Sequence, residues 1–126
     1  KKVVSGRGAT YIEIAKRLRT FANEVSGKEQ LAIQAFANAL EEIPRTLIRN
    51  AGLDEIERMT ELRAAHKTPE DKWIGIDTID DTISNNMEKG IVEPAALIKH
   101  LTDAGSELSR LILRVDRIIN SKSAKE

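Results

Sequence analysis

A carboxylate directly before proline closes the stretch Met87-Glu88-Lys89-Gly90-Ile91-Val92-Glu93-Pro94, and two glycines around an arginine, Ser5-Gly6-Arg7-Gly8-Ala9, precede the first helical pattern. Both stretches suit binding better than bond making. Glycine lets backbone approach a ligand closely, and a helix that follows presents free N–H groups at its positive end. Equally, Gly6 and Gly8 suit an ordinary turn before a helix, and Glu93 simply complements a helix dipole. A third stretch, Trp73-Ile74-Gly75-Ile76-Asp77, carries an acidic residue that serves as a turn former. Nucleophilic and metal chemistry have little to work with. The absence of cysteine excludes disulfides, thiol catalysis and cysteine-ligated zinc. His66 and His100 are too far apart in sequence to suggest a zinc site, and both read as solvated helix-surface residues without a role.

The elements that must position these stretches are mostly helical. Tyr11, Ile14, Ala15, Leu18, Phe21, Ala22 and Val25 recur at the spacing of one buried stripe, and the helix should end near Ser26-Gly27. A second helix from about Lys28 places Leu31, Ala32, Ala35, Phe36, Ala39, Leu40 and Ile43 on one side. Pro44, which lacks an N–H, should kink it or open a new helix through Leu47 and Ile48 to Asn50. Asp54 is placed to cap a third helix with Ile56, Met59, Leu62 and Ala65 along one face.

From Trp73 to Val92 the period changes to short β-branched runs, bounded by Gly75, Asp80-Asp81 and Asn85-Asn86, which predicts a small irregular hairpin. Its isoleucines argue against disorder, and Trp73 is expected to fill core. Pro94 suits the first turn of a final helix with Leu97, Ile98, Leu101, Ala104, Leu108, Leu111 and Ile112 facing inward. LRVDRIIN continues that helix or forms a short edge strand, and residues 120–126 read as a flexible tail. The fold class is therefore mainly α, a bundle of about four to five helices with a small β-hairpin excursion.

With 126 residues the chain is one domain or a piece of one, and starting on Lys1 without methionine it reads as an excised fragment or a tagged product. Twenty Lys+Arg balance twenty Asp+Glu, so no long-range field draws it to nucleic acid or an anionic membrane. No apolar run approaches the roughly 20 residues of a membrane helix, and KKVVSGRG lacks the apolar core of a signal peptide, so the expectation is a cytoplasmic protein. Charge pairs such as Glu13 with Arg17 are expected to face solvent.

Taken together, VVSGRGATYIEIAKRLR, SGKEQLAIQAFANALEEIPRTLIRNAGLDEIE, LRAAH, WIGID, MEKGIVEP and LILRVDRII resemble, in continuous order, the C-terminal half of the equatorial domain of group II chaperonins such as the archaeal thermosome. That resemblance implies an ATP-dependent double-ring chaperone in the cytosol, acting on unfolded proteins with other chaperonin subunits as partners. It implies that Gly6, Arg7 and Gly8 pass close to the ribose, that Gly75, Ile76 and Asp77 contact the adenine, Asp77 by backbone, that Ile91 touches the base, and that Glu93 accepts hydrogen bonds from the ribose hydroxyls. It also implies that LRVDRII is a final strand shared with an adjacent subunit.

Two departures from the family pattern matter. The family turn reads PGGGA where this chain has SGRGA, so Arg7 is expected to point away from the nucleotide or to reach a phosphate or a neighbouring subunit. The phosphate-binding loop and catalytic aspartate of the family belong to the N-terminal half of the equatorial domain and to the intermediate domain, which with the apical domain are not in this sequence. ATP or ADP with Mg2+ is thus expected for the full-length protein, and hydrolysis is not expected of this chain alone. Other readings are a non-catalytic helical scaffold or assembly fragment, and a nucleotide-binding adaptor that has lost catalysis.

Overall fold

The computed structural model describes residues 1–123 and divides into two compact units, Val3–Glu93 and a smaller one made of residues 1–2 and 94–126. In the larger unit a short strand β1 (Val3–Ser5) leads into α1 (Ala9–Ala22), then α2 (Gly27–Asn50) and α3 (Glu55–Ala65). A 3-10 turn (Pro69–Trp73) enters the hairpin of β2 (Ile74–Asp77) and β3 (Thr82–Asn85), and β4 (Val92–Pro94) returns to pair with β1. The hairpin is antiparallel, with Ile76 opposite Ile83 and Asp77 opposite Thr82.

Its core gathers Ile12 from α1, Ile48 from α2, Met59 and Leu62 from α3 and Ile76 from β2, with Leu47, Leu53, Ile74 and Ile83 around them. Each fully buried aliphatic side chain contributes about 1.5–3 kcal/mol, so the hairpin is anchored chiefly by Ile76, which is wholly buried. The expected cap is present: Asp54 accepts a hydrogen bond from the Glu57 N–H at 2.9 Å and satisfies one orphan donor of α3.

α2 departs from expectation twice. No new helix opens at Pro44, because the helix runs unbroken from Gly27 to Asn50 with Pro44 inside it. Pro44 is buried against Gly8, and that packing holds the turn which the missing N–H weakens. Its inward face is also rotated from the expected one: Ala37, Leu40, Glu41, Pro44 and Ile48 are buried, whereas Leu31 is 64% exposed. The reason is Glu41, a buried carboxylate that accepts hydrogen bonds from Arg19 and Arg63, with Arg45 alongside. Burial would push its carboxyl up, but the bonds from Arg63 and Arg19 outweigh that and hold it below the usual carboxylate range.

In the smaller unit α4 (Ala95–Ser123) begins where the Ala95 N–H donates to the Lys2 carbonyl at 3.1 Å. Pro94 therefore ends β4 instead of opening the helix. LRVDRII continues α4, the first of the two courses expected for it, with its backbone groups bonded along the helix's own turns. Of the expected tail, residues 120–123 continue α4, and residues 124–126 lie outside the described residues. The inward face expected of α4 is largely uncovered, with Leu97, Leu101, Leu108, Leu111 and Ile112 exposed and Ile98 buried. No helix among the described residues is long and apolar enough to cross a membrane.

Candidate functional site

The turn at Ser5–Gly8 is built by its neighbours. Ser5 Oγ donates to the Trp73 carbonyl at 2.6 Å, and the Gly6 N–H donates to the Ile91 carbonyl at 2.9 Å. Arg7 takes a left-handed φ of 52° and Gly8 one of 87°, which swings the chain into α1 without any side-chain cap or acidic residue in its first turn. The Ile76 N–H then donates to the Arg7 carbonyl at 3.2 Å, stitching β2 onto the turn. Gly75 has to be glycine because a Cβ there would sit 2.8 Å from the Gly6 carbonyl oxygen and 3.1 Å from that of Arg7.

Glu93 completes the junction, its Oε1 accepting the Arg7 N–H at 3.4 Å. A Cβ on Gly6 would come within 3.3 Å of Glu93 Cγ and 3.4 Å of Ile91 Cγ2, so the glycine lets both side chains pack close to the turn. The three stretches singled out in the sequence, Gly6-Arg7-Gly8, Gly75-Ile76-Asp77 and Ile91 with Glu93, are thus brought together.

The two acidic residues of this junction differ. Asp77 is almost fully buried and saturated: Lys89 Nζ donates to one oxygen at 2.7 Å, and the other accepts the N–H groups of Ile79 at 3.0 Å and Asp80 at 3.3 Å. The Lys89 bond, aided by those N–H groups, holds its carboxyl at about 2, and Lys89 is in turn raised by its bond to Asp77. Glu93 is half-buried and accepts a single long bond among the described residues, which leaves lone pairs for a ligand donor. Its charge adds to burial in pushing the Tyr11 phenol up.

Arg7 Nη1 turns into the hairpin, donating to Thr78 Oγ1 at 3.1 Å and Asp77 Oδ1 at 3.4 Å. His66 is not the solvated surface residue expected. It is buried, with Nδ1 at 2.9 Å from Glu13 Oε2 and Nε2 at 2.7 Å from the Ile74 carbonyl, so it ties α1 to the start of β2. Each ring nitrogen thus faces one oxygen acceptor. Glu13 is buried as well, which corrects the solvent-facing pair: burial would raise its carboxyl, but hydrogen bonds from His66 and Arg17 hold it low. His100 is exposed. Trp73 is half-buried under Lys72, whose Nζ lies 4.6 Å from the ring centroid, so it edges the core and does not fill it.

Asn86 is the residue that sequence reasoning missed, reading it as a hairpin boundary. It is wholly buried at the centre of the junction. The only local signal was its pairing with Asn85 beside a glycine-bounded segment.

Residues 1–123 match the TCP-1/cpn60 chaperonin family. The chain is 47% identical over 124 residues to a thermosome subunit of Methanocaldococcus jannaschii, covering 98% of this chain and 23% of that protein. It is also 47% identical over 126 residues to a thermosome subunit of Pyrococcus horikoshii, covering 99% of this chain and 23% of that one. Among solved structures it is similar to the open-state monomer of a group II chaperonin from Methanococcoides burtonii, with a TM-score of 0.85, 38% identity, and coverage of 90% of this chain and 28% of the other. The chain thus spans about a quarter of the length of the curated relatives it matches.

Proposed function

The chain belongs to the TCP-1/cpn60 chaperonin family, on the group II side with the thermosome subunits, and from that membership we propose that it is the C-terminal part of the equatorial domain of an ATP-dependent chaperone that assists protein folding. In this reading the phosphate-binding loop, the catalytic aspartate and the Mg2+ ligands are supplied by the rest of a longer cytoplasmic subunit. ATP brings the phosphoanhydride whose hydrolysis drives the cycle. This chain's own residues bind and orient the other end of the nucleotide. Glu93 receives the ribose hydroxyls, the Gly6-Arg7-Gly8 turn and the backbone at Gly75, Ile76 and Asp77 line the sugar and base, and Ile91 gives the base an apolar contact.

The observation that carries the reading is the junction itself. Residues far apart in sequence converge so that one underused carboxylate, Glu93, packs directly against the side-chain-free backbone at Gly6. Ring assembly is supported by a different feature. Phe21 and Leu31 in the larger unit are 49% and 64% exposed, and the α4 leucines in the smaller unit are exposed as well, side chains of the kind that an interface covers. Neighbouring parts of the subunit and other subunits of a double ring would cover it.

The test is nucleotide affinity of the full-length subunit carrying Glu93→Gln. Hydrogen bonds to a charged group contribute about 1.5–3 kcal/mol, so ADP affinity should fall by roughly 10- to 100-fold. ADP lacking both ribose hydroxyls should bind weakly to wild type and be indifferent to the substitution. Equal losses for both nucleotides, or no loss for either, would show that Glu93 does not hold the ribose.

A further inference from the structure

Asn86 uses every polar atom it has, and each reaches a different stretch of the junction. Its N–H donates to the Trp73 carbonyl at 3.1 Å, and its carbonyl accepts the Ile91 N–H at 2.8 Å. The side-chain oxygen accepts from Ser84 Oγ at 2.8 Å, while Nδ2 donates to the Gly6 carbonyl at 3.2 Å and the Ile76 carbonyl at 3.4 Å. The amide orientation follows from chemistry, since two facing carbonyls are met only by an NH2 group. A Cβ on Gly75 would lie 2.5 Å from Nδ2, so the amide also occupies the space that keeps residue 75 a glycine.

We infer that Asn86 is a positioning residue for the nucleotide wall: it touches no ligand, but its one NH2 group bridges the turn at Gly6 and the strand at Ile76, and so sets the spacing of the backbone that faces the ribose and base. The inference rests on the nucleotide reading above. No other side chain of this volume offers two donors on one edge and an acceptor on the other. Aspartate in its place turns a second oxygen toward the Gly6 and Ile76 carbonyls and repels them. Buried there, the carboxyl titrates well above the ordinary range, and once protonated it donates one of the lost bonds again.

The experiment uses the full-length subunit and ADP as the probe, at a temperature where every variant is folded by circular dichroism. Asn86→Asp should lose about tenfold in ADP affinity near neutral pH, the effect of hydrogen bonds left unmade in a buried site, and recover toward wild type as pH is lowered. Asn86→Leu should lose affinity and not recover. The charged groups on the neighbouring segments are Arg7, Asp77, Glu88, Lys89 and Glu93, and the wild-type titration over the same range controls for them and for the phosphates. Ser84→Ala, which releases the amide oxygen and leaves the core intact, should weaken ADP several-fold, and it serves where the Asn86 variants do not fold. Wild-type affinity in Asn86→Asp or Ser84→Ala, or an Asn86→Asp loss that is the same at every pH, overturns the positioning role. If Glu93→Gln also leaves ribose-dependent binding untouched, the nucleotide reading falls with it; if Glu93→Gln behaves as expected, the role of Asn86 alone is refuted.

Discussion

Replacing Gly8 by alanine separates backbone strain from crowding, because another glycine in the same chain provides the strain alone. Gly8 has a φ of 87°, and a Cβ there would sit 2.6 Å from Pro44 Cβ and 3.3 Å from its Cα. Gly27 has a φ of 68° with nothing within 4 Å of the position a Cβ would take. An L-residue in the left-handed region costs roughly 1–2 kcal/mol, offset by about 0.4–1 kcal/mol because alanine restricts the unfolded chain. Gly27→Ala should therefore cost about 0.5–1 kcal/mol. Gly8→Ala adds an overpacking term of about 1–3 kcal/mol, since neither α1 nor the buried Pro44 can give way without shifting a helix, for about 1.5–4 kcal/mol in total. Urea denaturation of both variants, followed by far-ultraviolet circular dichroism and analysed at constant slope, reads the difference. Equal costs at the two positions would refute the claim that the turn is wedged against Pro44. A loss confined to Gly8→Ala should also weaken ADP binding, because the shift of α1 carries the turn with it.

Acid should destabilise the larger unit through its buried carboxylates. Glu13 and Glu41 are both held below their ordinary value of 4.5 in the folded chain, so their contribution is fully present above that pH and is lost as pH falls through the lowered values. Glu41→Gln should cost about 2–4 kcal/mol at neutral pH by leaving the arginines around it without their partner, and its stability should fall less steeply on acidification than wild type. An identical acid profile would contradict this. His66→Leu removes the ring that bridges Glu13 and the Ile74 carbonyl and should cost about 2–4 kcal/mol by denaturation. A cost below about 0.5 kcal/mol would place His66 among ordinary surface residues after all.

Periodicity, caps and turn residues were enough to read that α1, α3 and α4 are helices, the cap at Asp54 and the β2–β3 hairpin, because each depends on residues only a few positions apart. They did not fix the faces or ends, since α1 stops at Ala22 with Ile12 inward and Phe21 49% exposed, and Ile56 of α3 is 81% exposed. The same local information left α2 ambiguous. Apolar residues occur around much of its circumference, and which of them faces inward is decided by Glu41 finding arginines on α1 and α3. The strands β1 and β4 have three residues each, too few to show alternation, and each is a strand only because the other lies beside it. His66 read as surface for a related reason, since its partners lie on α1 and β2.

The candidate site divides along the same line. Gly6, Gly8, Gly75, Asp77 and Glu93 could be named as binding-type residues from their order in the chain, together with the family it resembles. Their meeting could not. Arg7 and Glu93 are 86 positions apart, and Gly6 and Asn86 are 80. Helix, turn and cap signals act over a few residues, whereas the position of a carboxylate against a turn that distant is set by how Ile12, Ile48, Met59, Leu62 and Ile76 pack. That is why the ingredients were visible in the chain, while the spacing of the wall and the buried amide that holds it emerged from the folded packing.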